Sequence, residues 1–244
     1  MPRLPYASPK TAIVCCLWLF VQVLAADPPT VSTFSIIALD PTTGELGIAV
    51  QSKVTAVGAI VPWAHAGVGA VATQAAANVQ FGPLGLVLLR EKVTPESCIE
   101  VLLREDPLKE ARQLGVLAAN GQSAAFTGSD CLDHAGHRTG ENYAIQGNLL
   151  AGPEVLDAME EAFQATTGEL ADRLIAALQA GQTAGGDRRG QQSAALLVVR
   201  DGWGYGGLND RYIDLRIDDH LTPIDELARI LEVQRALFPR PVQR

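Results

Sequence analysis

The sequence predicts an α+β fold in which two antiparallel β-sheets pack face to face between helical layers. Strand signals come in pairs joined by turn residues, and helical signals also come in pairs. Their order along the chain lacks the strict alternation of strand and helix that builds a parallel doubly wound sheet.

The first strand pair covers residues 33–39 and 46–50. Both stretches are apolar, the first is also β-branched, and Asp40-Pro41-Thr42-Thr43-Gly44 between them is turn chemistry. A second pair is expected at 58–61 and 68–73. It flanks Pro62-Trp63-Ala64-His65-Ala66-Gly67, which reads as a loop for its proline and glycine. From Gly82 onward apolar residues recur three and four apart, at Leu84, Val87, Leu88 and later Cys98, Ile99, Leu102 and Leu103. That spacing predicts two helices separated near Thr94-Pro95. Thr94 is the expected N-cap, and Pro95 the first helical residue, where a missing N–H costs nothing.

Strands return at 113–118 and 123–126, joined by Asn120-Gly121, a hairpin signal because both residues tolerate positive φ. A further strand is expected at 143–149, helices at 153–166 and 169–180, and a strand at 193–199. The last of these is apolar without alternation, as a strand covered on both faces should be, which places it centrally in its sheet. A strand at 212–217 and a helix at 223–238 complete the pattern. No repeat, low-complexity tract or linker divides residues 27–244, so one domain is expected.

Ahead of it, Arg3 and Lys10 precede an apolar run over residues 12–26 that ends at Asp27-Pro28-Pro29. This is the layout of a secretory signal over residues 1–26, with cleavage after Ala25 or Ala26. The rival reading is an uncleaved N-terminal anchor, since Trp18, Phe20 and the leucines make the run strongly apolar. Either way the domain is expected to be exported, periplasmic or secreted. Cys15 and Cys16 lie in the leader, leaving Cys98 and Cys131 either to pair or to be buried separately.

The net charge of −8, with Lys and Arg scattered, argues against nucleic acid or an anionic membrane surface as partner. A small-molecule or peptide-like substrate is the better expectation, and the alanine- and glycine-rich sheet segments would also suit a homo-oligomer. There is no G-x-S-x-G elbow, no phosphate-binding G-x-x-x-x-G-K, no H-E-x-x-H and no C-x-x-C. Asp133, His134 and His137 have ligand chemistry but sit in a turn-rich stretch where solvated polar residues are ordinary, so neither metal nor cofactor is expected.

Polar clusters at strand edges are the better candidates, because a rigid scaffold can aim them. Gln51-Ser52-Lys53 ends the second strand, and a lysine beside a hydroxyl could lower its pKa and hold a bound carboxylate. Gly185-Gly186-Asp187-Arg188-Arg189-Gly190-Gln191-Gln192-Ser193 packs glycines around an acid and two guanidiniums. Arginine offers bidentate recognition of carboxylates, and glycines expose backbone N–H groups. Asn209-Asp210-Arg211 precedes the last strand after a glycine-rich stretch. Thr73-Gln74 and Gln146-Gly147-Asn148 put polar groups in or beside apolar strands, where an unpaired amide costs a few kcal/mol, so each needs a partner or a ligand. The bland alternative makes these loops solvated connectors with local Asp–Arg pairs.

Together these segments resemble the family catalogued as Domain of Unknown Function 1028, within the Ntn-hydrolase-like superfamily. The resemblance rests on T-F-S-I-I-A-L-D-P-T-T-G-E-L-G-I-A-V-Q-S-K from Thr33, G-V-G-A-V-A-T-Q-A from Gly67, Q-G-N-L-L-A-G-P-E-V from Gln146, G-G-D-R-R-G-Q-Q-S-A from Gly185 and N-D-R from Asn209. It implies a four-layer αββα sandwich. It also implies amide hydrolysis by an N-terminal residue whose hydroxyl attacks while its own α-amine acts as base. Thr33 stands where that nucleophile belongs, yet leader cleavage at Ala25 or Ala26 leaves Thr33 with an acylated nitrogen. Either a second cut occurs between Ser32 and Thr33, or Thr33 is no such nucleophile. On this reading Thr33, Lys53, Asp187 and Asn209 are the catalytic candidates. Gln51, Ser52, Thr73, Gln74, Asn148, Arg188, Arg189, Asp210 and Arg211 are the substrate-binding ones. The competing class is a small-anion binder or oligomeric interaction protein of the same fold.

Overall fold

The computed structural model describes residues 33–240. The expected leader, its cleavage point and the alternative anchor lie outside the described residues. Strands β1 (Thr33–Asp40) and β2 (Glu45–Ser52) open the domain, followed by β3 (Pro62–His65) and β4 (Gly69–Ala75). Helices α1 (Phe81–Arg90) and α2 (Pro95–Leu103) lead to β5 (Arg112–Ala118), β6 (Ser123–Thr127), β7 (Gly136–Gly140) and β8 (Tyr143–Asn148). Then come α3 (Glu154–Ala165), α4 (Leu170–Thr183), β9 (Ser193–Val199), β10 (Arg211–Ile217) and α5 (Pro223–Leu237).

The strands form two antiparallel sheets, one of six in the order β10-β9-β2-β1-β8-β7 and one of four in the order β3-β4-β5-β6. Three apolar layers hold them in an α-β-β-α stack. Because side chains alternate along a strand, β1 sends Phe34, Ile36 and Ala38 toward Leu170, Leu174 and Leu178 of α4. The same strand sends Ile37 and Leu39 into the core between the sheets, with Ile48, Val50, Leu197, Ala70, Ala72 and Leu117. The outer face of the smaller sheet, Val71, Leu114 and Val116, packs on Phe81, Leu89, Ile99 and Leu102. Close approach of α1 to β3 depends on Gly82, where a Cβ would stand 2.1 Å from the Trp63 ring. Among the described residues no helix is long and apolar enough to cross a membrane.

Most predicted elements are found, including the cap of α2, where the Thr94 hydroxyl accepts from Ser97 N–H at 3.3 Å. Four points differ. Residues 57–59 form a 3-10 turn, and β3 lies inside the stretch expected to be a loop. It is an edge strand, where proline at the first position removes no needed donor. Strand β7 has no apolar signature because it is the other sheet's edge and is held by backbone pairing to β8. The β5–β6 connection closes at Ala118–Gln122, and of Asn120 and Gly121 only Gly121 has positive φ. Strand β9 is interior but one place from the edge rather than central. Cys98 and Cys131 are free thiols: the first is buried in the α1–α2 layer, and the second directs its Sγ to the Arg112 carbonyl at 3.3 Å.

Candidate functional site

Strands β8, β1, β2 and β9 are neighbours, and their registers place Asn148, Thr33, Ser52 and Ser193 in a single row at one end of the larger sheet. All four share the phase of the inter-sheet core residues Ala144, Ile37, Val50 and Ala195, so they face the smaller sheet. All four are fully buried. Thr33 Oγ1 donates to Ser52 Oγ at 3.1 Å. Next to this row, Ser35 and Gln146 occupy the following level of β1 and β8.

From the smaller sheet, Gln74 and Gln113 stand opposite each other on β4 and β5 and reach across the gap. Gln74 Nε2 donates to the Thr33 carbonyl at 3.3 Å, to Gln113 Oε1 at 2.8 Å and to the Gln146 carbonyl at 3.3 Å. Its Oε1 accepts from Ser35 Oγ at 2.5 Å, and Ser35 Oγ accepts from Gln146 Nε2 at 2.6 Å. Asn148 Nδ2 also donates to Gln113 Oε1, at 3.1 Å. Gln113 Nε2 donates to Thr127 Oγ1 at 2.9 Å and to the Gly147 carbonyl at 2.8 Å, and Thr127 in turn meets His137 Nδ1 at 2.9 Å. Space for Gln146 is left by Gly115, where a Cβ would come within 2.2 Å of its Oε1. These groups meet the cost of burying amides by pairing with one another; Gln146 Oε1 alone among those oxygens of glutamine is buried without a partner, as is Gln51 Oε1 on the opposite face of β2.

The segment after α4 closes over the end of this row. Gly185, Gly186 and Gly190 all have positive φ, which glycine adopts at no steric cost. The turns they make bring Arg188 N–H to the Leu149 carbonyl at 3.1 Å and Gln192 N–H to the Ser52 carbonyl at 3.1 Å. Asp187 is 1% exposed. Its carboxylate accepts from the Lys53 backbone N–H at 3.2 Å and from Arg189 through N–H at 2.9 Å, Nε at 3.1 Å and a terminal nitrogen at 2.9 Å. Lys53 Nζ, on the exposed side, donates to the Gln191 carbonyl at 3.0 Å, and Gln51 Nε2 lies 3.5 Å from the Gly190 carbonyl. Arg188 is exposed. Hydroxyls, a carboxylate, an ammonium and glycine backbone are thus gathered at one sheet end.

The structure therefore brings together Thr33, Gln51, Ser52, Lys53, Gln74, Asn148, Asp187, Arg188 and Arg189. It does not bring the others. Thr73 faces the α1 side and closes a turn, its Oγ1 donating to the Asn78 carbonyl and accepting from Asn78 N–H at 3.2 Å. Asn209, Asp210 and Arg211 precede β10, whose Arg211 pairs with Val199, while Thr33 is level with Ser193 at the other end of β9. Six residues at about 3.3 Å each put roughly 20 Å between them. There Asn209 Oδ1 caps Arg211 N–H at 3.0 Å, Asp210 accepts from Ala66 N–H at 2.8 Å, and Arg211 pairs with Asp214. An orienting role for Asn209, and substrate roles for Thr73, Asp210 and Arg211, are accordingly dropped. Arg189 is committed to Asp187, which leaves Arg188 as the arginine open to an anion.

Sequence reasoning missed Ser35 and Gln113. The signal was present for Ser35, a polar residue between Phe34 and Ile36, whereas Gln113 follows Arg112 at the start of its strand. Among the described residues no three His, Cys, Asp or Glu side chains are grouped to hold a metal ion.

The model of a family described as "Family of unknown function (DUF1028)" matches residues 33–227. The crystal structure of protein SPO2555 from Silicibacter pomeroyi, itself assigned to DUF1028, superposes with a TM-score of 0.77 at 35% sequence identity, over 84% of this chain and 86% of that one. No curated protein matches the chain.

Proposed function

This chain belongs to the DUF1028 family of unknown function, and we propose that its chemistry resides at the Thr33 end, as exported hydrolysis of a C–N amide bond in a small or peptide-like substrate. The observation that carries the reading is the single register row Asn148, Thr33, Ser52 and Ser193, with Lys53 and Asp187 beside it. The family match also begins at residue 33.

A cut between Ser32 and Thr33 would free the Thr33 α-amine, which titrates near pH 8 when unperturbed. The amine takes the Oγ1 proton as Oγ1 attacks the substrate carbonyl, and returns it to the departing nitrogen as the C–N bond breaks. Water then attacks the Thr33 ester, restoring the hydroxyl and releasing the acid. Lys53 raises the local positive potential and so favours the unprotonated amine. Asp187, locked by Arg189, fixes the loop that carries the glycine N–H groups, and Arg188 offers a guanidinium to anionic substrate groups.

Thr33→Ser should retain turnover of small amide substrates, and Thr33→Ala should lose at least about a thousandfold in kcat/KM. Equal activity in Thr33→Ala would sink the reading. A second reading, binding of a small anion without turnover, is favoured by the complete burial of Thr33 beside the exposed Arg188. In that case calorimetry detects anion binding that Arg188→Ala removes, and no amide is cleaved.

A further inference from the structure

Helix α1 turns part of its apolar stripe outward. From Phe81 to Leu89 it reads Phe-Gly-Pro-Leu-Gly-Leu-Val-Leu-Leu, with neither a charge nor a polar side chain. A surface helix of a globular domain keeps a polar face for water, and a helix that is apolar all round is one covered all round. Here the inner face is covered by Phe81, Leu89 and two glycines. Gly82 lies against the Trp63 ring, and Gly85 lets β4 come so close that a Cβ would stand 2.9 Å from Val71. The close packing is thus made by small residues, and large ones are left outside. Leu84 and Val87, whose spacing announces the helix in the sequence, are 51% and 52% exposed, with Pro83 exposed beside them.

Val101 of α2 extends this surface. It is 40% exposed and shares with Leu84 a groove of about 570 Å³ that Arg104 and Glu105 also line. A contiguous apolar face rimmed by charge marks an interaction surface.

Charge selects the occupant. The chain carries a net charge of −8, so two copies repel unless they meet where the local charge is nil. The outer face of α1 meets that condition along its length, and so do its ends. Arg90, Glu91, Lys92 and Glu96 balance at the turn from α1 into α2, and Arg104 and Glu105 balance at the other end of the helix pair. A contact between two identical patches must be complementary to itself about a twofold axis. Crossing α1 antiparallel to its symmetry mate achieves this, because Arg90 of one copy then faces Glu105 of the other, and Glu91 faces Arg104. Among the described residues none of these four side chains makes an ion pair within its own chain.

We propose that the outer face of α1, with Val101, is the contact of a homodimer whose two copies cross antiparallel at this helix. The contact lies on the helical layer over the smaller sheet and is independent of the chemistry at Thr33.

Sedimentation velocity of the mature protein over about 1–100 μM tests this, since a contact of modest area gives a micromolar Kd. The average mass should climb from one chain toward two across that range. Leu84→Glu and Val87→Glu should each raise the Kd at least about tenfold, by putting an unpaired carboxylate into an apolar contact. Arg90→Glu should raise it about fivefold, because the ion pair occurs twice per dimer. Adding Glu105→Arg to that variant should bring the Kd back to within about twofold of the unaltered protein, a recovery that unspecific stickiness would not give. A protein that stays monomeric throughout, dimerisation unchanged in Leu84→Glu, or no recovery in the double charge swap would each overturn the proposal. So would a monomer that co-sediments with phosphatidylcholine vesicles and is released by Leu84→Glu, which would make this a lipid-docking face. Should one glutamate variant not fold, the other and the charge swap decide.

Discussion

The two ends of the larger sheet solve opposite problems with the same strands. At the Thr33 end, polar side chains enter the space between the sheets, and Ser35, Gln74, Gln113, Gln146 and Asn148 bury one another through hydrogen bonds without a titratable group among them. At the other end, charge is buried at Glu45 against Arg200 and Arg240, and aromatic rings stay open to solvent. A buried carboxamide network makes a frame whose polarity is internal. An aromatic surface on an ionic foundation keeps its charge beneath exposed rings. The difference follows from which residues fall on the inward phase of each strand, because β1 carries Thr33 and Ser35 inward at one end and Ile37 and Leu39 at the other.

The comparison breaks most readily at Gln113, which links both sheets through Gln74, Asn148, Thr127 and Gly147. Gln113→Ala should cost about 3–5 kcal/mol in urea unfolding, because it strands several buried partners at once; a loss below about 1 kcal/mol would mean that the network is decorative. Gly115→Ala should cost about 2 kcal/mol by displacing Gln146. At the other end, Trp203→Ala should cost about 2 kcal/mol, as a partly exposed ring stacked on Arg200. In the double variant with Gly115→Ala the two losses should add to within about 0.5 kcal/mol, because the ends share no partner. Coupling well above that would join the regions into a single unit.

The smallest effect is a slope. Burial raises the Glu45 carboxyl above its ordinary 4.5, with Arg240 and Arg200 opposing. The folded state then keeps a proton that the unfolded chain has released, so stability declines as pH rises from about 4.5 through the raised value and levels off beyond it. Glu45→Gln should flatten that decline in the pH dependence of the urea midpoint. An unchanged slope would show that the pH response belongs elsewhere.

Much of this architecture is legible in the sequence because it is local. The β1–β2 hairpin announces itself by turn residues, α2 by Thr94-Pro95, and β9 by an unbroken apolar run. Strands β3 and β7 are not legible, since edge strands are held by neighbours' backbones and need no apolar pattern of their own. The site divides the same way. Ser52 follows β2 into the Thr33 row with Lys53 beside it, and Asp187 arrives because its glycines turn the loop there. Asn209 shares the same polar, glycine-flanked signature, yet it belongs to the far end. Strand order and direction decide which end a loop occupies, and those depend on pairings between residues more than a hundred positions apart, such as Ser52 with Ser193. Gln113 escaped notice because one glutamine at a strand's start resembles a solvated terminus until the second sheet is placed above it.

The central claim is that Thr33 acts through a free α-amine, and the first residue of the mature protein tests it most directly. Intact-mass analysis with terminal peptide sequencing, on protein recovered from its native source, should find a chain beginning at Thr33. A fully active protein beginning at Ala26 or Asp27 would contradict the account.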